Sequence, residues 1–255
     1  MNQIELINLF TRRTGYAPNL DDPQSYCEKC LWKKFYVRDP RMVQYGDKFR
    51  AKELIAGKSE ALPLPDPDPG QWPVMAKLNC ASGAFRIVNN EQEFRQFVRQ
   101  YGGAPVYGAV KGEWHYGQMK PVIYCERVLT GFTELKFFCF DGRARCAYKL
   151  TEKPRTRTYY SLNGEKLDVQ EGYLDRRFDN CGKPIPSDVD IGRMRKAAEQ
   201  LSAGFDHVRV DLIWHQGKIY FTEFTFFNYS GMIEYRPKSF DYELGSHWKL
   251  SEDGR

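Results

Sequence analysis

Val208-Arg-Val-Asp-Leu-Ile-Trp-His-Gln-Gly-Lys-Ile-Tyr-Phe-Thr-Glu-Phe-Thr-Phe226 decides how this chain is read. The stretch reads as two apolar strands joined by a short turn, yet it carries Asp211 and Glu223 on neighbouring strands. A buried carboxylate pair is costly unless something positive lies between its members, and a divalent cation takes carboxylate oxygens readily. Strand side chains alternate faces, so the parity of the turn decides whether the two acids meet. A three-residue loop His215-Gln216-Gly217 is expected to put Arg209, Asp211, Glu223 and Thr225 on one face. Val208, Val210, Leu212, Trp214, Tyr220, Phe224 and Phe226 then occupy the other. A two-residue loop separates the acids unless a bulge restores parity. The competing reading is an exposed hairpin with one ordinary surface acid on each strand.

The first sixty residues read as helical pieces, with Asp47 before Lys48–Ala56 and Gly57 as a stop. Pro63-Leu-Pro-Asp-Pro-Asp-Pro69-Gly70 reads as a stiff linker rather than a strand. Strands are expected at 74–78, 85–88 and 122–129. A helix capped by Asn90 should bury Phe94, Phe97, Val98 and Tyr101. Glu134–Leu150 reads as a hairpin around Asp141-Gly142, and 151–186 as irregular. A last helix is expected over 189–203, with Ile191, Met194, Ala198 and Leu201 inward. Antiparallel hairpins interleaved with helices indicate an α+β protein with two sheets.

Lys77 ends a strand just before the Asn79–Ala84 loop, where an ammonium beside backbone N–H groups can cradle phosphate. A lone strand-end lysine is usually just solvated. Lys136 alternates with Phe138 and Phe140 on an apolar strand and needs an anionic partner, a ligand or a structural glutamate. Arg209 shares the acid-bearing face and can salt-bridge those acids or fork onto a carboxylate.

These blocks, with Asn19-Leu20, Pro23, Glu28-Lys29, Trp32, Asp39-Pro40, Asp47-Lys-Phe-Arg50, Glu126, Lys136-Phe-Phe-Cys-Phe-Asp-Gly142 and Phe240-Asp-Tyr-Glu-Leu-Gly245, run in order over nearly the whole chain. Together they resemble the TupA-like family of ATP-grasp ligases. The resemblance implies an ATP-grasp fold, two α+β lobes clasping ATP after a helical N-terminal segment. It implies residues 1–70 as that segment with its Pro-rich linker, 71–129 as the lobe with the phosphate loop, and 130–255 as the lobe with the metal-binding hairpin. It further implies ATP and Mg2+ as cofactors, with Asp211, Glu223 and Thr225 on the metal. Lys77, Asn79, Ser82, Gly83, Glu126, Val128 and Lys136 would surround the nucleotide, and Arg209 and Lys136 would be catalytic.

The activity implied is ATP-dependent carboxylate–amine ligation through an acyl phosphate. The substrates would be a small-molecule or saccharide carboxylate and an amine, for instance a uronic acid and an amino acid in surface-polysaccharide biosynthesis. Two other readings stay open: a kinase acting on a small molecule or sugar, and a degenerate nucleotide-binding module. The chain departs in three places from the ATP-grasp or the family pattern, the first of them common within the family. Thr225 stands where ATP-grasp ligases usually carry Asn, the loop reads Asn79-Cys-Ala-Ser-Gly-Ala84, and Asn228-Tyr229 replaces a Pro-Gly.

Composition narrows the classes. A 42% hydrophobic and 28% charged chain suits a folded globular protein. A net charge of +5 without any basic run of five does not argue nucleic acid. No apolar run reaches membrane-spanning length, and the acidic start lacks a signal-peptide pattern, so the cytoplasm is the expectation. Seven cysteines disfavour a disulfide framework, and Cys27-x-x-Cys30 reads as buried thiols on a helix stripe rather than a zinc site. His115, His207, His215 and His247 show no metal-ligand spacing.

Overall fold

The computed structural model describes residues 1–103, 111–152, 155–174 and 176–250. Four helices lead the chain: α1 (Gln3–Thr14), α2 (Tyr26–Tyr36), α3 (Arg41–Gly46) and α4 (Lys48–Leu54). Asn2 and Ser25 open α1 and α2 with full capping boxes, Glu5 and Glu28 reaching back to the cap N–H. Asp47 opens α4, accepting from the Phe49 and Arg50 backbone. Cys27, Cys30 and Leu31 lie fully buried along α2, and burial pushes the Cys30 thiol up to about 12. Such thiols are packing groups.

The strands follow as β1 (Leu62–Pro63), β2 (Val74–Leu78), β3 (Phe85–Val88), β4 (Ile123–Arg127), β5 (Thr133–Phe140) and β6 (Arg143–Glu152). Then come β7 (Arg155–Tyr160), β8 (Gln170–Tyr173), β9 (Arg176–Arg177), β10 (His207–His215), β11 (Lys218–Thr225) and β12 (Glu234–Arg236). Three further helices are α5 (Glu91–Tyr101), α6 (Ile191–Ser202) and α7 (Ser239–Ser246). A small antiparallel sheet runs β3-β2-β4, backed by α5. A large sheet runs β1-β11-β10-β5-β6-β7, and a third runs β12-β8-β9.

One core joins α1, α2 and α6 to the large sheet through Phe10, Leu31, Met194, Phe137, Leu212 and Phe221. Burying each such side chain contributes about 1.5–3 kcal/mol. The helical N-terminal segment is therefore continuous with the larger lobe.

Several expectations are corrected. The β10–β11 loop has two residues, Gln216 and Gly217, because His215 pairs with Lys218. Both lie at positive φ, the geometry that matches strand twist in a two-residue hairpin. A bulge at Thr222 restores the parity that this loop would lose. Leu212 faces Phe221 while Asp211 faces Glu223. Beyond the bulge Tyr220 pairs with Ile213, so it shares the acids' side of the sheet rather than the apolar face.

Pro63 is not wholly linker, since Leu62–Pro63 lies parallel to Tyr220–Phe221 at the sheet edge, where a missing N–H is tolerated. Val98 is exposed, Phe97 alone of its stripe being fully buried. The 151–186 segment carries three strands, and there are three sheets among the described residues rather than two.

Candidate functional site

The site lies where the acid-bearing side of the large sheet meets the small sheet and α4. Asp211 and Glu223 are direct cross-strand partners, and Arg209 is opposite Thr225 two pairs along, on the same face. On the other flank Lys136 of β5 pairs with Asp211. Asp211 is fully buried and its oxygens are taken by Arg209 at 2.7 and 2.8 Å and by Lys136 at 2.5 Å. Lys136 also meets Glu134 at 3.1 Å. Arg209 extends to Thr225 Oγ1 at 2.9 Å, to Asn228 Oδ1 at 2.5 Å and to the Tyr148 hydroxyl at 3.1 Å.

Glu223 is held more loosely. Its nearest cations are Arg209 at 3.3 Å and Lys48 at 3.4 Å, and 26% of its side chain is exposed. Burial pushes its carboxyl up, but Lys48, Lys136, Arg209 and Lys77 outweigh burial and hold it at about 2. Burial pushes Asp211 up, and Arg209 and Lys136 oppose that rise. The sum of these charges keeps Lys136 above the ordinary lysine range despite its burial.

The small sheet supplies a second cluster. Glu126 of β4, 1% exposed, pairs with Lys77 of β2 and, at 2.9 Å, with Lys52 of α4. Val128 follows β4, half-buried. In the β2–β3 loop Ser82 and Gly83 are exposed, and Gly83, at a φ of 77°, has open space where a Cβ would sit. Asn79 is different. Its amide donates to Asp47 at 2.7 Å and to the Lys120 carbonyl at 3.0 Å, and accepts from the Val122 N–H at 2.8 Å. That side chain is spent bracing the loop.

Sequence reasoning assigned no role to Lys48, Lys52, Asn228 or Tyr148. The first two stand four apart on a short helix, hence on one face, which was the available clue.

The carboxylates and the Thr225 hydroxyl form a hard oxygen set. Mg2+ keeps several waters and is typically held by one or two carboxylates plus substrate phosphates. These residues therefore fit a magnesium ion carried on a polyphosphate. Among the described residues no cluster of three or more His, Cys, Asp or Glu has the arrangement of a metal site, so an all-protein cage is not what they build.

Residues 87–249 match the family model for TupA-like ATPgrasp proteins. The chain belongs to that family. Its α+β architecture is an ATP-grasp fold, with the two acids on the last long hairpin.

Among solved structures, a D-alanine–D-alanine ligase from Bacillus anthracis complexed with ATP is 14% identical, with 71% of this chain and 53% of that one covered and a TM-score of 0.43. The Helicobacter pylori D-alanine–D-alanine ligase is 14% identical, covering 89% and 70%, with a TM-score of 0.48. A biotin carboxylase from Campylobacter jejuni, in complex with β-γ-ATP, is 13% identical, covering 83% and 48%, with a TM-score of 0.43. The chain thus spans about half the length of the first of these. No curated protein matches it. Among the described residues no helix is long and apolar enough to cross a membrane.

Proposed function

We propose that this chain is an ATP-dependent carboxylate–amine ligase, forming an amide through an acyl phosphate. One observation carries the reading. Asp211 and Glu223 pair on one face with Arg209, Lys136 and Lys48 as their counter-ions. Every one of these charges has a natural second partner in a magnesium nucleotide. The carboxylates can turn to the metal while the cations turn to phosphate oxygens, and no buried charge is left unpaired by the exchange. A purely structural ion-pair cluster gains nothing from that symmetry.

In this reading Asp211, Glu223 and Thr225 hold Mg2+, which supplies charge neutralisation across the phosphates. Lys77 and the exposed Ser82-Gly83 turn face the phosphates from the small sheet, with Glu126 and Val128 at the adenine edge. Lys136 and Arg209 steady the charge that builds as a substrate carboxylate attacks the terminal phosphorus. Arg209's planar fork, fixed by Asn228 and Tyr148, matches a carboxylate or acyl phosphate. ADP leaves as the carboxylate–phosphorus bond forms, and an amine then attacks the acyl carbon, losing a proton as phosphate departs. Such chemistry needs positioning and electrostatics more than a strong base.

The family likeness supports a surface-polysaccharide role, with a uronic acid as carboxylate and an amino acid or other amine as acceptor. The test is ADP and phosphate release from Mg-ATP with panels of uronates and amines, and mass spectrometry of the product. An amide with free phosphate is expected. Phosphate retained on the product would make the protein a kinase, and ATP binding without turnover on any pair would make it a binding module.

A further inference from the structure

The loop between β2 and β3 is not a free flap. Cys80, Ala81 and Ala84 are buried in a small cluster with Leu78, Tyr116 and Met119. The N-terminal segment ties this loop down at three points. Asp47 accepts from the Asn79 amide at 2.7 Å, the Lys48 backbone N–H donates to the Asn79 carbonyl at 3.3 Å, and Lys48 Nζ donates to the Ala81 carbonyl at 2.9 Å. The same Nζ lies 3.4 Å from Glu223 on the large sheet. One ammonium therefore touches the loop and the acid-bearing hairpin together.

We propose that Lys48, from the helical segment that precedes the clasp, binds nucleotide phosphate directly, so that α4 carries part of the triphosphate site. The inference rests on the ATP-binding reading above and extends it to a residue outside both sheets. The chemistry follows from donors and acceptors. A lysine ammonium has three N–H groups. Here one is used at full strength on Ala81, while the Glu223 contact exceeds the 2.7–2.9 Å of a charge-assisted hydrogen bond. When Glu223 turns to a cation, Lys48 loses its only carboxylate contact among the described residues and needs another anion at the same place. A phosphate oxygen held between loop and hairpin meets that need. Lys52, one helical turn on, stays with Glu126 and anchors the helix.

Calorimetry on the full chain separates the possibilities. Lys48→Met keeps the aliphatic stem and removes the ammonium, Lys48→Arg keeps the charge, and thermal melts check that each folds. Lys48→Met is expected to bind Mg-ATP about ten- to a hundredfold more weakly, as for loss of one hydrogen bond to a charged group. Its affinity for adenosine, which has no phosphates, should be unchanged, and Lys48→Arg should recover most of the loss. Equal losses for Mg-ATP and adenosine would reduce Lys48 to a brace of the loop and overturn the proposal, as would wild-type affinity in Lys48→Met. A wild-type chain that binds no Mg-ATP would overturn the nucleotide reading and this assignment with it.

Discussion

Arg157 with Glu171 and Arg209 with Asp211 are both buried guanidinium–carboxylate pairs on β-strands, and they differ in what surrounds them. Glu171, on β8, accepts from Arg157 at 2.5 Å with one oxygen and from the Tyr159 hydroxyl at 2.5 Å with the other. The Arg157 guanidinium is sandwiched between Phe178 and Tyr229, 3.7 and 3.9 Å from the ring centres. That pair is closed, with one cation and one anion walled by aromatics. Around Asp211 stand two cations, a second carboxylate with long contacts and a partly exposed edge. A closed pair holds the fold, whereas an open cluster with exchangeable partners is suited to a charged ligand.

The largest expected effect tests the closed pair. Arg157→Met leaves Glu171 buried without its cation and should cost about 3–5 kcal/mol of stability, read by urea denaturation. If Arg157→Met unfolds at the wild-type urea midpoint, the pair is not the lock described and the contrast fails. Next comes the open cluster. Glu223→Gln keeps shape and removes charge, and should lower Mg-ATP turnover on the order of 100- to 1,000-fold while the melting temperature changes little. Wild-type turnover in that variant would remove Glu223 from the site.

The contrast also explains what the sequence could and could not reveal. The acids' shared face was legible because strand periodicity is strict, but two devices restore the same parity. The chain uses a two-residue loop with a bulge rather than a longer loop. The bulge is tied by the Thr222 hydroxyl donating to the Asp211 carbonyl at 3.1 Å, a contact no local pattern announces. The Arg157 region was misread for the opposite reason. Thr156, Arg157 and Thr158 are all buried, yet their polarity looks like loop because the partners of Arg157 and Thr158, Glu171 and the Gly182 N–H, come from outside their strand. Lys48 sat in a recognisable helix, but its partners Ala81 and Glu223 lie far along the chain.

A third, smaller effect concerns pH at His207, two residues before Arg209 on β10 and on the same side of the sheet. His207 Nδ1 lies 2.8 Å from the Cys139 carbonyl, which can only accept, so Nδ1 carries the proton and Nε2 accepts from Tyr26 at 3.1 Å. Burial, with Lys33 nearby, pushes this imidazole down to about 3. A depressed histidine contributes stability that is full above its unfolded value of 6.5 and is lost as pH falls towards 3. The stability gap between wild type and His207→Asn should therefore narrow by about 1.5–2 kcal/mol from pH 6.5 to 5, measured by denaturation at each pH. Taking the difference between the two proteins cancels the opposite slope from Asp241, whose buried carboxyl is raised to about 6, and the parallel slope from His115. A constant gap would mean that His207 is not held neutral.

The smallest effect sharpens the open cluster from within. Thr225 Oγ1 accepts from Arg209 at 2.9 Å and stands where ATP-grasp ligases usually carry an asparagine. Thr225→Val removes the oxygen at nearly constant volume and should cost about 0.5–1.5 kcal/mol, read as a few-fold change in Mg-ATP handling. The form of the loss separates two roles. If the hydroxyl reaches the metal, the Mg2+ concentration for half-maximal activity rises, and Thr225→Ser restores it. If it only steers the guanidinium, magnesium dependence stays put and the loss appears in KM for the carboxylate substrate that Arg209 would grip. Either result preserves an open cluster, while a Thr225→Val variant that loses stability instead, with catalysis intact, would make this corner of the hairpin another closed structural pair.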